Sequence, residues 1–120
     1  METSGRVMIG VLRLSLGFRQ ARSLKEKRHV LRSVEQKLRN ISCSVAECGF
    51  QDNPKRAVIG VTYVSNSPAV VEKMLDDAKR MWDEEVEVFQ ADRDVFDYSE
   101  MEEQPAPWTE EDEDKYGGQE

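Results

Sequence analysis

Seven Lys or Arg residues fall within RSLKEKRHVLRSVEQKLRN (22–40): Arg22, Lys25, Lys27, Arg28, Arg32, Lys37 and Arg39. Guanidinium and ammonium groups hold anions, phosphate above all, through charge-assisted hydrogen bonds. The spacing places them on a helix. At 100° per residue, Leu24, Leu31, Val34 and Leu38 define one apolar direction, and Lys25, Arg28, Arg32 and Arg39 gather on its flank in a stripe roughly 60° wide. A merely solvated face tends to alternate signs. Glu35 can pair with Arg39, but Arg28 and Arg32 are like charges at i,i+4, an unfavourable arrangement. Lys27 falls among the apolar positions, where its stem would run along the edge of the core. Arg19 and Arg22 precede the helix, near an N-terminus whose free N–H groups and dipole favour an anion. Two readings stay open at this level: an ordinary wet helix face, or a surface that meets phosphates, with affinity set by charge and weakened by salt.

Other chemistry is thinly represented. There is no Ser/His/Asp or Cys/His arrangement and no P-loop, so a non-enzymatic protein without cofactor is expected. Gly17-Phe18-Arg19, with Asn66 to orient a water, is a faint outline of a small phosphate-ester or acyl-phosphate hydrolase. Glu47 and Asp52 flank a hairpin with nothing to mark them as an acid/base pair. His29 has no second His and no Cys cluster near it, so no metal site is expected. Cys43 and Cys48 are an odd and an even position of one strand, which points their side chains to opposite faces and argues against a disulfide. Reduced thiols suit a cytoplasmic protein, the expected location.

The elements that must carry these residues follow from periodicity and turn chemistry. VMIGVLRLSL (7–16) reads as a central strand, and Ser23 with Glu26 as the capping box of a helix over 24–40. SVAEC (44–48) is a shorter strand, GFQDNP (49–54) a turn, and RAVIGVTYV (56–64) a second central strand. Ser67 and Pro68 start a helix running to about 84, and VEVFQA (86–91) alternates as a last strand. The order βαββαβ predicts an α+β, ferredoxin-like sandwich: a four-stranded antiparallel sheet with two helices on one face.

Both parities of the central strands are apolar, so the uncovered face of the sheet should stay sticky. Val7, Ile9, Val11, Ile59, Val61 and Tyr63 are the expected interface residues for a homodimer or another protein partner. A sheet that reads RNA by stacking needs aromatics on its central strands; with only Tyr63 available, that version is set aside.

The charge is unevenly spread. The whole chain carries -7, residues 1–94 carry +2, and residues 95–120 carry -9. The expected organisation is a domain over 1–94 followed by an acidic, disordered tail over 95–120, with Trp108 as an anchor and carboxylates able to shield the basic helix. No apolar run approaches the length of a membrane helix, and no element points to a DNA sequence.

MIGVLRLSL, ARSLKEKRHVLRSV, SVAECGFQD and RAVIGVTYVSN together resemble the YlxP-like family of small bacterial proteins of unassigned function, over about residues 7–93. RSLKEKR (Arg22 to Arg28) is the most specific element, and SVAE, Gln51-Asp52 and Val64-Ser65-Asn66 also look like family positions. The resemblance implies a ferredoxin-like fold. Genes of the family tend to lie beside those for translation initiation and ribosome maturation, which implies ribosomal RNA or a ribosomal subunit as partner. In the hairpin, Asn53-Pro54-Lys55 stand where many relatives carry an apolar and aromatic pair.

Overall fold

Apolar alternation and caps produce the expected order. The computed structural model describes residues 5–101. Strand β1 is Met8–Phe18, helix α1 Leu24–Asn40, β2 Ser44–Gly49, β3 Arg56–Ser65, α2 Pro68–Lys79 and β4 Val86–Asp97, followed by a 3-10 helix at Tyr98–Met101. The strands lie in the order β2-β3-β1-β4 and every neighbouring pair is antiparallel. Both helices cover one face. Leu12, Leu14 and Leu16 of β1 and Ile59 and Val61 of β3 form the core with Leu31 and Leu38 of α1 and Val71 and Leu75 of α2. Gly10 lies under α2 so closely that a Cβ there would run into Val71 and Leu75.

Pairing corrects the expected sheet interface. β1 and β3 are in a register that sets odd residues of one beside even residues of the other: Ile9 faces Val64, Leu12 faces Val61 and Leu14 faces Ile59. Paired residues share a face, so Ile59 and Val61 lie under the helices, fully buried. Tyr63, opposite Gly10, also packs against that core. Ile59, Val61 and Tyr63 are therefore not open-face residues. Val7, Ile9 and Val11 do line the open face, joined by Val58 and Val64.

Two element ends differ from expectation. Helix α2 stops at Lys79, with Arg80 as its C-cap, because the chain must turn through Asp83–Val86 into β4. Strand β4 runs on to Asp97, so the boundary expected at 94 falls inside it. Its second half looks polar because its charges are answered across the surface. Arg13 pairs with Asp92 at 2.8 Å, and Arg93 reaches Glu72 at 2.7 Å and also Asp76. Charged side chains of this kind also blunt an edge strand against further pairing. Tyr98–Met101 of the expected tail form the 3-10 helix, and the remainder, with Trp108, lies outside the described residues.

These contacts set an acid limit. A hydrogen bond from Arg93 holds the Asp76 carboxyl below the usual range. Asp92 is lowered by Arg13 and then Gln90, and Asp97 by the Ser99 hydroxyl and N–H and then Arg6. A depressed folded pKa stabilises above the unfolded value, and that stability is lost as pH falls through the folded one. The melting temperature should therefore hold down to about pH 4 and drop below it, less steeply in Asp97→Asn. Equal slopes in the two proteins would remove Asp97 from the account.

Candidate nucleic-acid interface

The first turn of α1 is fixed by its own side chains. Ser23 Oγ accepts from the Glu26 N–H at 3.2 Å, and Glu26 Oε1 accepts from the Arg22 N–H at 2.6 Å. The box thus closes one residue earlier than the reciprocal form, on Arg22 and not on Ser23. With Leu31, Val34 and Leu38 turned inward, Arg22, Lys25, Arg28, Arg32 and Arg39 are exposed, as the stripe requires.

Several surface arginines elsewhere are paired with carboxylates, and most of these cations are not. The surface arginines Arg6, Arg13 and Arg19 are drawn to Asp97, Asp92 and Glu87, at 3.2, 2.8 and 2.9 Å. Arg93 has two carboxylates, and Lys73 pairs with Asp77 at 3.0 Å. On the exposed side of α1 the one ion pair among the described residues is Arg39 with Glu35, stretched to 3.9 Å. Arg22, Lys25, Arg28 and Arg32 have no carboxylate partner among the described residues. Lys25, His29 and Arg32 also line a cleft of about 650 Å³ whose walls include Phe18, Ala21 and Val30. Glu26 and Glu85 are its carboxylates, and the first is already engaged with Arg22.

Lys27 does not belong to this surface. It is fully buried, and its ammonium donates to the carbonyls of Phe50, Asn53 and Arg56 at 2.9, 2.8 and 2.9 Å. Glu47 Oε2 lies 2.8 Å away. With all three protons committed to carbonyls, the Glu47 contact is charge pairing and not a hydrogen bond, and the buried Oε2 has no hydrogen-bond partner among the described residues. Lys27 is therefore a clamp between α1 and the β2–β3 turn, and its expected role in holding phosphate is withdrawn.

Arg19 sits at the end of the sheet where that turn lies, paired with Glu87. Asn66 follows Ser65, which pairs with Met8 at the far end of β1. Arg19 and Asn66 are thus roughly 30 Å apart by strand rise, and they do not form one site. The described residues contain no group of three or more His, Cys, Asp or Glu side chains placed to hold a metal ion. Cys43 is buried, which pushes its thiol pKa up, and Cys48 is exposed; both are free.

One cluster escaped the sequence reading. The Arg56 guanidinium lies over the Phe50 ring at 4.8 Å and over the Phe89 ring at 5.0 Å. The available signal was Val88-Phe89, two adjacent apolar residues that interrupt the alternation of β4. Between Ser15 and Leu16 of β1 the pairing shifts by one residue on β4, a bulge that re-aims Phe89.

A family model described as "Protein of unknown function (DUF503)" matches residues 9–94. The chain belongs to the DUF503 family. The DUF503 match takes in both helices and all four strands, nearly to the end of β4. The chain is also 38% identical over 69 residues to "Uncharacterized protein YlxP" of Bacillus subtilis (strain 168). That alignment covers 57% of this chain and 75% of the relative. The YlxP-like resemblance carried by RSLKEKR and its companion segments is therefore correct. Among the described residues, no helix of this DUF503 protein is long and apolar enough to cross a membrane.

Proposed function

We propose that this protein is a non-enzymatic RNA-binding module that meets phosphates through the exposed flank of α1, with ribosomal RNA or a ribosomal subunit as its partner. The observation that carries this reading is the set of unpaired cations. Arg22, Lys25, Arg28 and Arg32 lie exposed along the start of α1 with no side-chain ion pair among the described residues, while Arg6, Arg13, Arg19 and Arg93 are each neutralised by a neighbouring carboxylate. Like charges left facing one another are unfavourable in the free protein and favourable once a polyanion lies across them. Arg39 extends the surface along the helix. Arg19, ahead of the helix in the chain, is held by Glu87 at 2.9 Å, which an RNA phosphate would have to displace. The ribosomal partner is favoured by the neighbourhood of YlxP-like genes.

The test is co-sedimentation with ribosomal particles from lysate, with retention at about 50 mM salt and release by about 200 mM, as counterion release requires. No retention at the lower salt would overturn the proposal.

A second reading has its own observation. Val7, Val11 and Val64 are exposed large apolar side chains on the open face, with Ile9 beside Val64. A homodimer through that face would show twice the chain mass by light scattering at tens of micromolar, and a single mass would exclude it.

A further inference from the structure

The open face ends in a cluster that the α1 surface does not explain. Phe50 follows β2, Arg56 opens β3 and Phe89 lies on β4, so the three residues form a row across the sheet. The strand between Arg56 and β4 contributes Gly17, which pairs with Arg56. A Cβ on Gly17 would come within 2.6 Å of the Phe89 ring. Only a residue without a side chain lets that ring lie across β1 and reach the guanidinium. Phe50 keeps 48% of its surface exposed and Phe89 53%, so each ring retains an open side after meeting Arg56.

Arg56 itself has no acceptor. Its side chain makes no hydrogen bond to a described residue, and its Nε is buried without a partner. Its guanidinium is held by two rings, an attraction of charge to the aromatic faces, and its planar fork of donors remains unmatched. The row is also firmly seated. The backbone carbonyls of Phe50 and Arg56 are two of the three acceptors of the buried Lys27 ammonium, which ties this end of the sheet to the first turns of α1. Lys55 stands alongside, its ammonium donating to the Arg19 carbonyl at 2.8 Å. Glu87, paired with Arg19, is the nearby carboxylate on β4.

We propose that Phe50, Arg56 and Phe89 form a binding platform for unpaired RNA nucleotides, whose bases stack on the two open rings while the Arg56 fork takes a backbone phosphate. Two half-open rings around an unmatched cation are complementary to a strand that alternates flat bases with negative charge. A paired helix would present only phosphates, which a bare cationic surface handles without aromatics. The platform rests on the RNA reading above and narrows it: the preferred substrate carries single-stranded nucleotides, with duplex regions left to α1.

The full-length protein separates these claims by fluorescence anisotropy at about 50 mM salt, using a short labelled oligoadenylate strand and an RNA duplex of equal length. Phe50→Ala with Phe89→Ala should weaken strand binding by about 10-fold or more and leave duplex binding within about twofold. Phe89→Tyr should retain strand binding, and Arg56→Lys should lose part of it, since an ammonium keeps the charge without the fork or the stack. Arg28→Glu with Arg32→Glu should weaken both RNAs; if it weakens neither while the aromatic variants act, the α1 reading falls and the platform stands. Unchanged strand affinity in the double alanine protein at an unchanged melting temperature would overturn the platform. So would equal losses for strand and duplex. A change from dimer to monomer without any change in RNA affinity would assign the face to a second copy of the chain instead. Failure of the unaltered protein to bind either RNA would overturn both the platform and the reading it rests on.

Discussion

Lys27→Met is expected to lower the stability of the fold by about 3–5 kcal/mol, the range for removing one partner of a buried charge pair. For a domain of this size that corresponds to a melting temperature lower by more than about 12 °C, readable by circular dichroism. Lys27 is fully buried and its ammonium reaches Phe50 O, Asn53 O, Arg56 O and Glu47 Oε2, all within 2.9 Å. Methionine fills the volume and meets none of these oxygens. Three carbonyls lose the ammonium, although Phe50 O keeps the Asn53 N–H, and a half-buried carboxylate loses its countercharge. The two contributions can be separated. If charge pairing were the whole effect, adding Glu47→Met would restore stability, as replacement of whole buried pairs by apolar residues often does. The carbonyls predict otherwise: the double variant should recover less than half of the loss. Lys27→Arg should also fail, because a planar fork cannot address three carbonyls set around a point. A Lys27→Met protein within about 1 kcal/mol of the unaltered one would contradict the clamp, since a single unsatisfied buried acceptor already costs that much.

The second large effect is on binding and leaves stability alone. Arg28 and Arg32 are exposed, lack carboxylate partners among the described residues and repel each other across one helical turn. Reversing both to glutamate would remove two of the proposed phosphate contacts and set two like charges against the RNA. At about 50 mM salt each lost contact is worth just under tenfold, so the affinity should fall on the order of 100-fold. The melting temperature should stay level or rise slightly, since the repulsion between the two arginines goes and pairing with neighbouring cations becomes possible. A loss of affinity accompanied by unfolding would point to the helix itself and not to its charge.

How far these features could be read beforehand depends on what each one rests upon. Helix α1 rests on local signals, Ser23 and Glu26 at its start and leucines at helical spacing, so its extent and outward stripe were apparent. Sheet faces depend on register, which is not local. Ile59, Val61 and Tyr63 alternate correctly within β3, but which side they take is decided by pairing with β1, and one step of register exchanges the faces. The length of β4 was hidden for a related reason. Asp92, Arg93 and Asp94 look like loop residues until Arg13, Glu72 and Asp76 are placed beside them.

Lys27 and Phe89 show two further limits. Lys27 sits at an apolar helical position, and snorkelling is the usual fate of a lysine there. Its burial depends on three carbonyls that a turn more than 20 residues later turns toward it. Phe89 depends on Gly17 and a bulge on the partnering strand, so neither neighbour is visible from VEVFQA alone. In each case the function of a side chain is decided by backbone from another element.

The central claim is that the unpaired face of α1 holds RNA phosphates, and the slope of log affinity against log salt concentration tests it most directly. With about four phosphate contacts the unaltered protein should give a slope near -3 on single-stranded RNA, and Arg28→Glu with Arg32→Glu should bring it to about -1.5. A flat slope for the unaltered protein, or the same steep slope in both, would contradict the claim.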